Sequence, residues 1–528
     1  MRIMILGAGV MQLPAIRIAR DLGWRVAAAD ADAAAPGATL VDEFLHVDLK
    51  DRAALEAAAM KLRASGGLDG VFTAGTDFSA NVAWIAARLG LPGIPYEVAL
   101  DASHKGRMRA RFEAAGVPSP RFVTVGVDED ATLAAERVGF PLVVKPVDNM
   151  GARGCRLVAA TREFGPAIAE ALRSSRSGRA IVEEYVEGPE FSIDAIVHEG
   201  RVELCGIADR HIAFAPFFVE LGHTMPSAYP PEALAEVVRV FELGVRALGL
   251  GPGAAKGDIK LGKRGAVVGE IAARLSGGYM SGWTYPYASG VEPTLAALRV
   301  AVGLSPGGLG ARRDWVSAER AFISIPGKVS RLLGEREARL EPFVKDVFLR
   351  LGPGSRAVFP SNNVEKGGNV ISQAPDRASA SAAAERAARA LLPVLEPEDA
   401  ATEDFLAGGG GIILPDGRAW PPPAFGEVPE AFRNALAVLP EDIPGSAPGR
   451  GEPSPYLPLA LSPQTLASRD WLGRTLAESL ELVERLSGAR PARPGESALA
   501  GRFWRALERG GWQAALYVVD TERALRAG

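Results

Sequence analysis

Over its first ninety residues the chain alternates short apolar runs with helical stretches: RIMILG, LPAIRIARDLG, WRVAAAD, DRAALEAAAMKLRAS, GVFTAG and NVAWIAARLG. Parallel strands need crossover connections, so this βα order commits the segment to a parallel sheet covered by helices, Rossmann-like if its crossovers are right-handed. The opening MRIMILGAGV reads as a buried strand and a turn, without the basic start, apolar stretch and cleavage site of a signal peptide. A cytoplasmic location is expected, and no apolar run is long enough to cross a bilayer.

From about Asp101 the grammar changes. A helix over HKGRMRARFEAAG is followed by closely spaced β-branched runs, PLVVKP, CRLVAA, AIVEEYV and EFSIDAIV, which favour an antiparallel sheet. Pro231 to Leu250 is helical by spacing, and AVVGEIAARLSGG returns to strand. The fold class expected is α/β plus α+β. At 528 residues the chain should hold about three to four domains. The divisions expected are 1–100, Rossmann-like; 101–318, the antiparallel domain; 319–397, completing it; 398–455, a Gly/Pro-rich linker; and 456–528, a small helical module of unknown role. In that tail Ser462-Pro463 has the chemistry of a helix start, and core packing is expected of Trp471, Trp504 and Trp512. Cys155 and Cys205 are too few for a disulfide framework and read as small buried hydrophobes. The formal net charge of −4 gives no global attraction for nucleic acid.

Two loops follow strands of the first domain. Gly7-Ala8-Gly9 is a turn through which a backbone can approach phosphate, but Gln12 stands where the dinucleotide fingerprint has its third glycine. Asp30 is a weak candidate for a ribose acid. Thr73 to Asp77 either caps the next helix through Thr76 or Asp77, or lines a ligand site at the carboxyl edge of the sheet. Further on, Lys145 ends an apolar strand and precedes a turn from Asp148 through Gly151 to Gly154, the chemistry of a phosphate cradle. Glu183, Glu184, Val186 and Glu190 lie between strands, where backbone groups can read an adenine edge and a carboxylate can take ribose hydroxyls. If the strands around Asp258 and Glu270 pair as a hairpin, the two acids face one side and can hold a hard cation. Arg274 then offers a planar donor fork to a transferring phosphate. Each segment alone could be a solvated surface feature; their order gives them weight.

That ordered set resembles the ATP-grasp superfamily, over roughly residues 1–392 and best between Lys105 and Arg274. The resemblance implies a Rossmann-like domain followed by two α+β lobes that clamp ATP between antiparallel sheets. It implies Lys105 and Lys145 at the nucleotide phosphates, Gly151 to Gly154 as the covering loop, Glu183, Glu184 and Val186 as the adenine hinge and Glu190 on the ribose. Asp258 and Glu270 match the family's magnesium carboxylates and Arg274 its catalytic arginine. Ala272 departs from the asparagine the family often has, which puts the second metal's ligand set in question. ADRH, APFFVELGHTMPS and EIAARLSGG look like the amino-acid ligase and carbamoyl-phosphate-synthetase-like branch, with His211, Glu220 and His223 as candidate substrate contacts beside Thr76 and Asp77. The expected activity joins a carboxylate, possibly an amino acid's, to an amine through an acyl-phosphate, with ATP and Mg2+, or Mn2+, as cofactors. Small-molecule substrates, no nucleic acid and no membrane are the expected partners, and a homo-oligomer is compatible with the reading. No biotinyl-carrier segment is identified. The alternatives are a noncatalytic ATP-binding sensor and an NAD(P)-dependent oxidoreductase.

Overall fold

The computed structural model describes residues 1–409, 412–414, 419–443, 461–488 and 498–527. Met1–Glu319 together with Ile371–Ser381 form one compact unit, and Arg320–Val370 with Ala382–Gly528 form a second.

In the first unit, β1 (Arg2–Leu6), α1 (Leu13–Asp21), β2 (Arg25–Asp30), β3 (Glu43–His46), α2 (Arg52–Gly66), β4 (Gly70–Phe72) and α3 (Ser79–Leu89) follow the expected alternation. The strands lie parallel in the order β3-β2-β1-β4. Every residue of β1 is buried, and successive side chains enter cores on opposite faces. Ile3 and Ile5 pack with Ile16 and Ala19, whereas Met4 and Leu6 pack with Leu55 and Leu62. That is the physical meaning of an unbroken apolar strand in a parallel sheet.

Helices α4 (Tyr96–Ser103) and α5 (Lys105–Ala114) lead into β5 (Phe122–Gly126), α6 (Thr132–Val138), β6 (Leu142–Pro146), β7 (Arg156–Val158), α7 (Thr161–Ser174) and β8 (Arg179–Glu184). These strands make an antiparallel sheet ordered β5-β8-β6-β7. Six residues beyond β8, β9 (Glu190–His198) starts a different sheet, continued by β10 (Arg201–Ala213), β11 (Val219–Met225), β12 (Gly253–Gly262) and β13 (Gly265–Ala272), with α8 (Pro231–Leu248) across its core. Its order runs β13-β12-β9-β10-β11 and then to the strand Val316–Phe322, whose Ser317 and Ala318 pair with Met225 and Thr224. The closely spaced β-branched runs are antiparallel, as their spacing indicated, but they divide between two sheets at the acidic segment 185–189.

In the second unit, strands Gly327–Leu333 and Leu392–Leu395 pair antiparallel. Their core includes Phe425, Phe432 and Leu436, residues of the Gly/Pro-rich stretch 398–455. The described part of that stretch forms helices Ala400–Leu406 and Glu430–Val438, while residues 410–411, 415–418 and 444–455 lie outside the described residues. In the tail, Ser462 accepts the Thr465 N–H at 3.1 Å and caps helix Pro463–Ala467. The last helical run, Gly501–Ala527, is broken at Gly510 and Gly511. Trp504 and Trp512 are buried in the core, and Trp471 packs against it. Among the described residues no helix is long and apolar enough to cross a membrane.

Trp504 meets Phe432 edge to face with centroids 5.9 Å apart, tying the tail to the Gly/Pro-rich stretch. Trp504→Ala should therefore destabilise the protein by about 3–5 kcal/mol, the cost of emptying an aromatic core site. Urea unfolding followed by tryptophan fluorescence and circular dichroism checks this; a loss below about 1 kcal/mol would show that the contact carries no packing energy.

Candidate active site

Strands β12 and β13 pair so that Asp258 lies directly opposite Glu270. Gly269 is the extra residue of a bulge immediately beside them, since Asp258 pairs with Glu270 but Ile259 pairs with Val268. Directly opposed residues share a face, so both carboxylates project from the same side. Asp258 accepts the Ser192 hydroxyl at 2.8 Å, pairs with Lys256, and lies 3.1 Å from an Arg210 nitrogen. Glu270 lies 3.7 Å from Lys105 Nζ. Burial raises the pKa of both acids, but Arg210 and Lys256 at Asp258, and Lys105 and Lys256 at Glu270, outweigh it and hold both below the ordinary range. Two ionised oxygen donors suit a hard cation. No group of three or more His, Cys, Asp or Glu side chains suited to a metal occurs among the described residues. A cation here would therefore need oxygens from its ligand, as magnesium commonly takes them from phosphates.

The alternation of β6 sends Leu142 and Val144 into the apolar core and Lys145 to the opposite face. There its ammonium meets Glu183 Oε2 at 2.6 Å. The other Glu183 oxygen accepts Arg109 Nε–H at 2.8 Å, and Arg109 Nη2 donates to the Gly269 carbonyl at 2.7 Å. Burial alone would raise the Glu183 pKa, yet Arg109 and Lys145 hold it at about 2. The Glu183 carboxylate is thus a buried counter-ion to both cations. Glu184 points to Arg121 and Arg264, and the Val186 carbonyl accepts Lys260 Nζ–H at 2.8 Å. The glycine loop joins β6 to β7, with Gly151, Ala152 and Gly154 all at positive φ. Asp148 anchors its start by accepting the Ser175 hydroxyl and the Arg176 and Ser177 N–H groups. Lys105 Nζ donates to the Asn149 carbonyl at 2.7 Å, so both candidate phosphate lysines adjoin this loop. Cys205 is buried as expected, but Cys155 is only half-buried. Burial pushes its thiol up to about 11 against the pull of Lys145 and Lys105.

Arg210 was not among the residues singled out from the sequence, although it stands inside ADRH. Its guanidinium pairs with Glu190, with Glu220 at 2.6 Å and with Asp258 at 3.1 Å. It unites the candidate ribose, substrate and metal carboxylates. Burial opposes its charge, but the three acids raise its pKa well above the ordinary value. Strand alternation was the available signal, because only one of Arg210 and His211 can face the hairpin. His211 takes the other face, where its Nε2 lies 2.9 Å from Thr224 Oγ1. His223 is buried between Glu319, 2.6 Å from Nδ1, and Glu220, 3.4 Å from Nε2. Burial lowers its pKa, but the two acids raise it to about 9, so it is an imidazolium at neutrality. Glu319 was also missed; nearly a hundred residues separate it from His223.

Arg274 reaches the first domain. Its Nε donates to the Thr76 carbonyl at 2.8 Å and its Nη1 to the Leu275 carbonyl at 2.8 Å, while Gly75 N–H donates to Leu275 O at 3.2 Å. The loop Thr73 to Asp77 thus lies against the segment following β13. Neither Thr76 nor Asp77 is the helix cap, because α3 starts at Ser79 after Phe78, and Thr76 Oγ1 accepts the Phe78 N–H. Asp77 pairs with Arg176. At the first turn, Gln12 folds over Gly7, where a Cβ would come within 2.9 Å of its side chain, and donates to the Ala74 carbonyl at 2.7 Å. Asp30 accepts the Ala8 and Asp32 N–H groups. Gly7 and Asp30, which with Gly9 motivated the dinucleotide reading, are therefore engaged in the turn itself.

Residues 138–282, which contain the hairpin, β6 to β11 and Arg274, match the family description "ATP-grasp domain". That segment is an ATP-grasp domain. Residues 321–396 match "L-amino acid ligase C-terminal domain 2". Carnosine synthase 1 of Gallus gallus is 30% identical over 329 residues, covering 58% of this chain and 35% of that protein. Alanine–anticapsin ligase of Bacillus subtilis is 30% identical over 234 residues, covering 40% of this chain and 49% of that one. The chain thus spans a third to a half of the length of these named relatives. The crystal structure of L-amino acid ligase from Bacillus licheniformis superposes with a TM-score of 0.66 at 21% identity, over 75% of this chain and 98% of that one, a likeness of fold.

Two pH dependences follow. Glu183 is held near 2, below its ordinary 4.5, so its contribution to stability is present above pH 4.5 and is lost as pH falls toward 2. Glu183→Gln should cost about 3–5 kcal/mol at pH 7, by leaving Arg109 and Lys145 uncompensated, and should flatten the acid limb. His223 is raised from 6.5 to about 9, so its contribution is full below pH 6.5 and lost as pH rises through 9. His223→Gln should remove that alkaline slope. Urea midpoints measured at stepped pH check both; parallel profiles for variant and wild type would contradict the assignments.

Proposed function

We propose that this ATP-grasp protein is an ATP-dependent ligase that joins the carboxylate of an amino acid to an amine through an acyl-phosphate. The observation that carries the reading is the opposed, ionised pair Asp258 and Glu270, with Lys105 beside it and Arg274 on the segment immediately after it. The donor set fits magnesium: bound there with ATP, the ion would neutralise phosphate charge. Lys105 and Lys145 hold phosphate oxygens, and the Gly151 to Gly154 loop presents backbone N–H groups to them and excludes water. Glu190 takes the ribose hydroxyls, and the backbone from Glu183 to Val186 reads the adenine edge.

A substrate carboxylate oxygen attacks the γ-phosphorus, the bond to the β,γ-bridging oxygen breaks and ADP leaves. The amine nitrogen then attacks the acyl carbon, phosphate leaves and the nitrogen gives up a proton. Arg274 stabilises the transferring phosphoryl group through its fixed charge. Thr76, Asp77, Glu220 and His223 contribute to the substrate end. The His223 imidazolium is already protonated, so its role is electrostatic rather than that of a general base. An amino-acid substrate is supported by the match of 321–396 to an L-amino acid ligase domain and by the names of the relatives.

The test is to incubate the protein with MgATP and pooled amino acids and small carboxylates, following products by phosphorus NMR, with hydroxylamine added to trap the activated carboxylate. Pool-dependent ADP and phosphate with a hydroxamate product are expected. Arg274→Ala should lower turnover by about 100- to 1,000-fold. AMP and pyrophosphate as products would overturn the mechanism.

A further inference from the structure

We propose that Asp194 is a positioning residue for Arg274, its buried carboxylate setting, through Ser276, the segment on which the guanidinium is mounted. The inference rests on the proposed ligase reading for its kinetic consequence and on geometry alone for the positioning itself.

Asp194 lies on β9, between Lys256 of β12 and Gly206 of β10, and is fully buried. Its Oδ1 accepts the Ser276 N–H at 3.0 Å and its Oδ2 accepts the Ser276 hydroxyl. Ser276 is two residues beyond Arg274. The same segment returns to Asp194 a second time, because Asp194 N–H donates to Tyr285 Oη at 3.0 Å while that hydroxyl donates to the Gly206 carbonyl at 3.1 Å. A bulge on β10 between Leu204 and Gly206 lets the phenol in. A Cβ at Gly206 would come within 2.8 Å of the Tyr285 ring. Between the two attachments the Ser281 hydroxyl donates to the Ser276 carbonyl at 2.9 Å, and Met280–Thr284 forms a π-turn, a rare geometry that is frequent at functional sites. The segment from Leu275 to Tyr285 is thus fastened twice to one residue, by Ser276 to the Asp194 carboxylate and by Tyr285 to its backbone N–H.

A carboxylate with no exposed surface is costly, and a neutral side chain would fill the same space at less cost. Asp194 supplies two acceptors matched to two donors of one residue, which fixes Ser276 in both position and rotation. Arg274 is then held from two directions, by Ser276 behind it and by the Thr76 carbonyl in front. Gly278, at φ +61 with a Cβ that would fall 3.1 Å from Glu220, completes the placement at the substrate end. Loosening Ser276 should let the guanidinium drift, and drift is expensive for a group that must meet a phosphoryl transition state, whereas nucleotide binding through Lys105 and Lys145 does not pass through this segment.

The test uses Ser276→Ala, which removes one donor and no bulk, and Asp194→Asn, each in the wild-type and the Arg274→Ala full-length protein. In ADP release driven by the amino-acid pool, Asp194→Asn should lower kcat on the order of 100-fold and Ser276→Ala about tenfold, with KM for ATP changing less than about twofold. In the Arg274→Ala background the same substitutions should cost less than about twofold more. Equal losses in both backgrounds, or losses confined to KM for ATP, would overturn the proposal. Hydrogen exchange by mass spectrometry needs no turnover: Ser276→Ala should speed exchange in peptides spanning 273–279 and 73–78 at least about fivefold, and unchanged exchange overturns the positioning. If the wild type turns over no substrate, the ligase reading fails and the exchange comparison alone decides the role of Asp194.

Discussion

A buried guanidinium facing three carboxylates is the interaction on which the rest of the site depends. Glu190, Glu220 and Asp258 come from three strands of one sheet, and without Arg210 their charges would repel one another in a dry interior. Arginine is suited to the position because its fork offers several donors in one plane and stays charged when buried. The cation lets three acids from three strands sit side by side. Lys145, Glu183 and Arg109 repeat the principle on the facing sheet, with one buried acid balanced by two cations.

Much of this was legible in the amino-acid sequence. The βα alternation needs no tertiary information, because a strand buried on both faces must be apolar throughout, as β1 is. The hairpin was also legible: Asp258 and Glu270 stand twelve positions apart, enough for two short strand ends and a tight turn, and a bulge at Gly269 keeps the acids on one face. Order and spacing singled out Lys105, Lys145 and Arg274, which stand at the start of α5, near the end of β6 and just after β13, places that the local pattern alone locates.

What sequence did not disclose was the pairing of charges across strands. Arg210 and His211 are neighbours in the chain and opposite in the sheet, so choosing between them required the register of β10. Glu183 was expected in an adenine hinge, a reading of its backbone that said nothing of its carboxylate; β8 lies beside the Lys145 strand, and that juxtaposition makes the side chain a counter-ion. Glu319 lies far along the chain from His223 and meets it only because the strand Val316–Phe322 pairs with β11. Composition misled in the Gly/Pro-rich stretch, since glycine and proline set the path of the backbone but do not keep an interspersed Phe425 or Phe432 out of a core.

The guanidinium of Arg109 touches both sheets at once, holding Glu183 of β8 by its Nε and the carbonyl of Gly269 in the bulge of β13 by its Nη2. The two bonds share one rigid planar group, so the end of β8 and the bulge of β13 are held at one distance from each other. A second tie runs from the Leu157 N–H of β7 to the Pro216 carbonyl between β10 and β11, at 2.7 Å. One attachment alone would leave the smaller sheet free to pivot; two at separate points fix its orientation against the larger sheet as well as its distance.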